Sequence, residues 1–208
     1  YCSSLPTLDL SGFNTENVTD MGAMFKYCLE MEKIDVAKFN TEKVTNMRGM
    51  FSGCRKITSL DLSHFNTENV TNTNTMFFSC DAITSLNLSS FKLEKVTDMG
   101  SMFFACEKMK TIYCDYTWKC AESTSMFAYC SKLKGAVAYD ENKVDVQMAN
   151  PETGYFTKKT PSGIEKSVDT TDAKIVDIYS LDGKKHSELQ NGVNIVRMSN
   201  GKIQKIMK

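Results

Sequence analysis

The sequence predicts an α/β repeat solenoid of about five 26-residue coils, with a concave parallel sheet and short helices on the convex side, followed by a small antiparallel β-domain. Three observations predict it. Phe13, Phe39, Phe65 and Phe91 recur every 26 residues, as do Phe25, Phe51, Phe77 and Phe103, so two independent columns share one period. Cysteine keeps that period at Cys2, Cys28, Cys54, Cys80 and Cys106, and Cys130 follows after 24 because the last coil is two residues shorter. Beyond residue 160 the period stops, and runs of β-branched residues separated by Asp-Gly and Asn-Gly take over.

Each coil divides into two halves. In the coil that begins at Cys54, Ile57, Leu60 and Leu62 match the L-x-x-L-x-L strand signature of leucine-rich repeats, which makes the expected solenoid one of that class. Their stacked equivalents are Leu8, Ile34, Leu86 and Ile112, and Leu10, Val36, Leu88 and Cys114. In the second half, Met21, Met24, Phe25 and Cys28 stand at i, i+3, i+4 and i+7, the spacing of one helical face, and Met47, Met50, Phe51 and Cys54 repeat it. A Thr-Asp or Thr-Asn pair precedes each run (Thr19-Asp20, Thr45-Asn46, Thr71-Asn72, Thr97-Asp98), a residue choice that caps helix starts. One coil cannot bury both its faces alone, so coils must stack, and strands about 4.8 Å apart would give a strip about 24 Å long.

The phrase LDLSHFNTENVTN followed by MFFSCDAITSLNLS resembles the BspA-like leucine-rich repeats of bacterial surface proteins, whose pattern runs DLSxFNTxxVTxMxxMFxxC. The resemblance covers residues 1–139 and implies an exported, cell-surface or secreted bacterial protein. It also implies an adhesion or recognition role toward an extracellular protein or glycan.

After the repeats, residues 140–160 read as a cap and linker, in which the Gly154-Tyr155-Phe156 end shields the last coil from water. Residues 161–208 read as the β-domain: Ala173–Ser180 and Val193–Ser199 are strands, and Asp182-Gly183, Asn191-Gly192 and Asn200-Gly201 are tight turns. The segment IVDIYSLDGKKHSELQNGVNIVRMSNGKIQKIMK is similar to the C-terminal sorting domain of type IX secretion. That similarity implies the export machinery as a partner; a plain β-module is the alternative.

Composition narrows the function classes. The 208 residues carry 25 basic and 25 acidic side chains with no basic face, so no nucleic-acid partner is expected. No apolar run approaches the ~20 residues of a membrane-spanning helix. The chain opens within a repeat, so an export signal is expected ahead of Tyr1. Neither histidine, His64 or His186, has a nucleophile or carboxylate placed for it by the repeat. No phosphate loop, nucleophile elbow or zinc-protease motif occurs. The chain therefore reads as no enzyme and needs no cofactor. Zinc is not expected either, because ladder thiols cannot converge on a tetrahedron.

Six cysteines share one ladder position, where parallel Cβ vectors disfavour bonding, and read as small buried hydrophobes. Cys114 and Cys120, in the shortened coil, are the one candidate disulfide. The sequons at Asn17, Asn69 and Asn87 read as turn chemistry, and Asp169–Thr171 as either an O-glycosylation site or a polar linker.

The candidate ligand surface is the file of outward residues between the buried leucines: Lys33 and Asp35, Ser59 and Asp61, Ser85 and Asn87, then Tyr113, with Trp118 nearby. Aspartates in file repel unless countered by a cation or a ligand, or they simply keep an exposed sheet soluble. Tyr113, Tyr116 and Trp118 form either a binding hot spot or part of the cap packing. Two functions remain open, a recognition module and a passive surface spacer.

Overall fold

The computed structural model describes residues 3–159, 175–181, 183–198 and 203–207. The chain divides into two compact units, Tyr1–Lys158 and Lys159–Lys208.

In the first unit the 26-residue register is a physical stack. Parallel bridges join Asp20 to Asn46, Asn46 to Asn72, Asn72 to Asp98, and Asp98 to Glu122. The phenylalanine columns lie ring on ring, with Phe25, Phe51, Phe77, Phe103 and Phe127 spaced 5.4–5.8 Å apart and nearly parallel. Ile57, Leu60, Leu62, Met50, Phe51 and Cys54 are all buried, as the apolar pattern requires.

The expected α/β leucine-rich-repeat solenoid with convex helices does not form. Among the described residues the one helical element is a 3-10 turn, Val146–Met148. The run from Asp20 to Cys28 is a chain of turns shared between coils. Met21, Ala23, Phe25 and Tyr27 donate their N–H groups to Asn46, Arg48, Met50 and Ser52 of the next coil at 2.7–2.9 Å. Met24, Lys26 and Cys28 close three-residue turns onto Met21, Ala23 and Phe25. The same wiring repeats from Met47 and from Thr73.

Helices pack 8–10 Å apart, and a ring spacing of 5.4–5.8 Å leaves no room for them on this side. An eight-residue helix is also too short to hold itself together. The turn chain needs a positive φ twice per coil, at Ala23 and Tyr27, Gly49 and Gly53, Thr75 and Ser79, Ser101 and Ala105, Ser125 and Tyr129. For a non-glycine residue each such position costs about 1 kcal/mol, offset by a coil-to-coil hydrogen bond beside it.

Side chains stitch the stack further. Thr15, Thr41 and Thr67 are buried. Thr67 Oγ1 donates to the Lys92 carbonyl (3.0 Å) and accepts the Lys92 N–H (2.8 Å), and Thr15 and Thr41 do the same to Asn40 and Asn66. Cys54, Cys80, Cys106 and Cys130 each donate S–H to a phenylalanine carbonyl one coil back, at 2.9–3.2 Å. The corners are Asx turns: Asp9, Asp35, Asp61 and Asn87 accept the N–H two residues on, as do Asn40, Asn66, Asp20 and Asn46.

On the strand side the burial alternation is present from the second coil on, with Ile34 and Val36 inside and Asp35 outside, whereas in the first coil Leu8 is exposed. Regular pairing is confined to β1 (Ser85–Asn87), β2 (Thr111–Tyr113) and β3 (Phe156–Thr157), parallel and in that order. Between the first two coils the strip opens instead into a cleft of about 330 Å³ lined by Leu8, Asp9, Lys33, Asp35 and Lys38.

The far end of the stack is closed. Ser125 N–H meets the Asp145 carboxylate (2.7 Å), Phe127 N–H the Val144 carbonyl (2.8 Å) and Tyr129 N–H the Tyr139 hydroxyl (3.1 Å). Tyr155 and Phe156 lie edge-on against Phe127. Gly135 and Gly154 are forced by contact, since a Cβ would stand 2.4 Å from the Tyr155 carbonyl carbon and 2.2 Å from the Met148 carbonyl oxygen.

The second unit is an antiparallel sheet, β5-β4-β6-β7, built from β4 (Ile175–Ser180), β5 (Lys185–His186), β6 (Val193–Met198) and β7 (Ile203–Met207). Gly183 and Gly192 take the positive φ their turns require. Buried Asp177 binds Lys185 (2.5 Å) and Arg197, which hold its carboxyl below the usual range. Asp182, Asn200, Gly201 and the segment Asp169–Thr171 lie outside the described residues.

Candidate functional site

The strip brings Ser85 and Asn87 together with Thr111 and Tyr113 by strand pairing, Ser85 opposite Thr111 and Asn87 opposite Tyr113. Lys33, Asp35, Ser59 and Asp61 are exposed in the coils before them. The aspartate file is largely engaged. One oxygen of each carboxylate holds its own turn, and Lys33 approaches the second oxygen of Asp35 at 3.9 Å. The backbone hydrogen bond on Asp9 lowers its pKa, the direction expected of a carboxylate held by an N–H.

Tyr113 breaks the file. It stands where Asp9, Asp35, Asp61 and Asn87 stand, is 37% exposed, and has no group that could accept the turn N–H. Tyr116, three residues on, is 48% exposed and lines a second cleft of about 200 Å³ with Phe91, Lys92, Glu94 and Lys119. The signal for that cleft in the sequence is the two-residue shortening of the last coil.

Trp118 also lines this cleft, from its buried side. It is buried edge-on against Phe156 at 4.7 Å, with its N–H of the backbone on the Ala149 carbonyl, so of the two readings of this aromatic group its ring takes the cap-packing one.

The Cys114–Cys120 disulfide is not formed. The described cysteines are all thiols. Cys120 directs its S–H toward the Glu122 and Val96 carbonyls and Cys114 toward that of Tyr116. Burial pushes the Cys114 thiol up to about 11 and the Cys54 thiol up to about 12. Cys54, Cys80, Cys106 and Cys130 are more than small hydrophobes, since each adds a donor to a neighbouring coil.

The sequons divide. Asn87 holds its turn, whereas Asn17 and Asn69 accept Lys43 and Lys95 Nζ from the next coil, each at 2.8 Å. His64, exposed, bonds the Val36 carbonyl at 2.8 Å. His186 does meet a hydroxyl, Ser180 Oγ at 2.8 Å, which sequence reading missed. Ser180 also donates to the Lys184 carbonyl (3.2 Å), so the contact closes the β4–β5 turn.

Among the described residues no group of three or more His, Cys, Asp or Glu could hold a metal ion, and no helix is long and apolar enough to cross a membrane. No curated protein and no solved structure matches the chain. A family model does, over residues 2–118 and again over 87–157, and its description is "Mycoplasma protein of unknown function, DUF285". With nearly the whole stack and its cap covered, the chain belongs to the DUF285 family.

Proposed function

We propose that this chain is a non-enzymatic recognition module of a bacterial cell-surface or secreted protein, binding an extracellular protein or glycan through the outward strip. Tyr113 and Tyr116 are its anchors and Ser85 and Asn87 its polar rim. The observation that carries the reading is Tyr113. Four coils place an Asx-turn residue there, and the fifth gives that bond up for an exposed aromatic ring. A residue that forgoes local stability for exposed aromatic area has the composition of binding hot spots. The BspA-like resemblance supports the surface setting, and the sorting-domain resemblance supports a second unit that addresses the chain to export machinery.

The spacer reading also has an observation in its favour, the use of the aspartate file in its own turns. An array of extracellular-matrix proteins and glycans, probed with the chain and a Tyr113→Ala/Tyr116→Ala variant, separates the two. Recognition predicts a saturable partner whose affinity falls about 10- to 100-fold in the variant. No partner for either folded protein leaves the spacer.

A further inference from the structure

The fourth coil departs from its predecessors at one corner. The first three carry Asn-Thr-Glu at residues 14–16, 40–42 and 66–68, and the fourth carries Lys92-Leu93-Glu94. Both changes remove a bond. Asn14, Asn40 and Asn66 accept the N–H of Glu16, Glu42 and Glu68, whereas a lysine side chain cannot accept that of Glu94. Leu93 stands where Thr15, Thr41 and Thr67 tie each coil to the next, and Trp118 in the fifth coil turns its backbone N–H to Ala149 of the cap instead.

The second cleft opens between these two unstitched segments. Phe91, Leu93 and Trp118 line it from their buried side, which makes that side apolar. Its rim is polar in both senses. Among the described residues the backbone N–H groups of Glu94, Thr117 and Lys119 have no acceptor, and neither the Glu94 carboxylate nor the Lys119 ammonium has an ion-pair partner. Lys92 is held by Glu68 at 2.6 Å, so the charges left free on the rim, Glu94 and Lys119, cancel. Tyr116 stands beside them with its ring 48% exposed.

Each feature narrows the occupant. Drug-sized ligands fill about 300–1,000 Å³, so a cleft of about 200 Å³ holds a single ring. Cancelling charges give a charged group no net attraction. Donors and acceptors side by side suit hydroxyls, which do both, and the negative face of an aromatic ring suits the C–H hydrogens of a sugar. An apolar peptide side chain would desolvate the rim groups without pairing them, and an acidic one would face Glu94.

We propose that this cleft is a subsite for one neutral pyranose ring of a glycan, stacked on Tyr116 with its hydroxyls on Glu94, Thr117 and Lys119. The assignment rests on the recognition reading and names its ligand class. About a dozen ring atoms at the efficiency of ordinary ligands give a Kd on the order of 1 mM.

The test titrates the isotopically labelled full chain with lactose, cellobiose, maltose, mannobiose and diacetylchitobiose, following amide shifts by NMR. At least one should give saturable shifts centred on the amides of Glu94, Thr117 and Lys119. Tyr116→Ala should abolish saturation and Tyr116→Phe retain it, both at the parent's melting temperature, since the ring is half exposed. Lys92→Asn, which returns an acceptor to the Glu94 N–H, should weaken binding several-fold without lowering stability. Silence of these amides toward all five sugars, or shifts that persist in Tyr116→Ala, would overturn the proposal. So would sialyllactose binding there at least tenfold more tightly than lactose, because the site would then select a charge. A protein partner lost in Tyr113→Ala/Tyr116→Ala, with no sugar response, would remove this subsite and leave the recognition reading standing.

Discussion

Replacing Thr67 by valine tests the coil-to-coil stitching at one atom. Valine keeps the branched shape of a fully buried side chain and removes only the hydroxyl. Two hydrogen bonds are lost, the 3.0 Å donation to the Lys92 carbonyl and the 2.8 Å bond from the Lys92 N–H. At about 1 kcal/mol per bond, with a further desolvation term for the two backbone groups left unpaired, the loss is about 2–4 kcal/mol. For a unit of this size the melting temperature should fall by about 6 °C or more. Urea unfolding gives the magnitude, and exchange of the Lys92 amide gives a local reading, since its N–H has no bonding partner but Thr67 Oγ1 among the described residues. Thr67→Ser keeps the oxygen and should lose about 1 kcal/mol or less. A valine variant within about 0.5 kcal/mol of the parent, with Lys92 exchange unchanged, would refute the role given to the threonine ladder.

The cysteine ladder predicts that Cys54, Cys80 and Cys106 resist alkylation at pH 8 in the folded chain while half-buried Cys120 reacts, as mass spectrometry would show. Burial raises the Cys54 thiol to about 12 and the Cys80 thiol well above the ordinary 9.0, and the contact with the Cys130 thiol, then burial, raises that of Cys106, so the folded state holds protons the unfolded state has released. The Cys54 contribution to stability is therefore fully present below pH 9 and should decline from pH 9 toward 12 by about 1 kcal/mol per pH unit, with Cys80 and Cys106 acting in the same direction, measured by urea unfolding across that range. Gly135→Ala should dislodge the cap, because its Cβ would meet Tyr155 backbone at 2.4 Å, and should expose Trp118 to water as a red-shifted fluorescence. Gly49→Ala and Gly53→Ala both place a Cβ at positive φ, but only the second drives it to 2.5 Å from the Tyr27 ring, so its melting temperature should fall further.

Much of the stack was legible because burial depends on period alone. The 26-residue columns, the inward Ile34, Val36, Leu60 and Leu62, and the outward Asp35 and Asp61 all stand where the sequence puts them. The helices were misread because spacing of three and four residues selects one face without selecting where the amides bond. Met47, Met50, Phe51 and Cys54 point inward equally well in a helix or in a chain of turns, and the positive φ at Thr75 and Tyr129 falls on residues that give no local sign of it. The sulfhydryl and threonine bonds to neighbouring coils were hidden for a similar reason, since they depend on coil pitch. At the site, the outward file and the break at Tyr113 were readable. The burial of Trp118 and the separate bonding of Cys114 and Cys120 depend on the cap residues Ala149 and Phe156 and on how the shortened coil closes.

Scalar couplings across hydrogen bonds, read by NMR on the isotopically labelled chain, test the coil-to-coil wiring most directly. Couplings from the Phe51 nitrogen to the Met76 carbonyl carbon, and from Phe77 to Met102, are the predicted result. Couplings from Phe51 to Met47 and from Phe77 to Thr73, the partners a helix would give them, would contradict it.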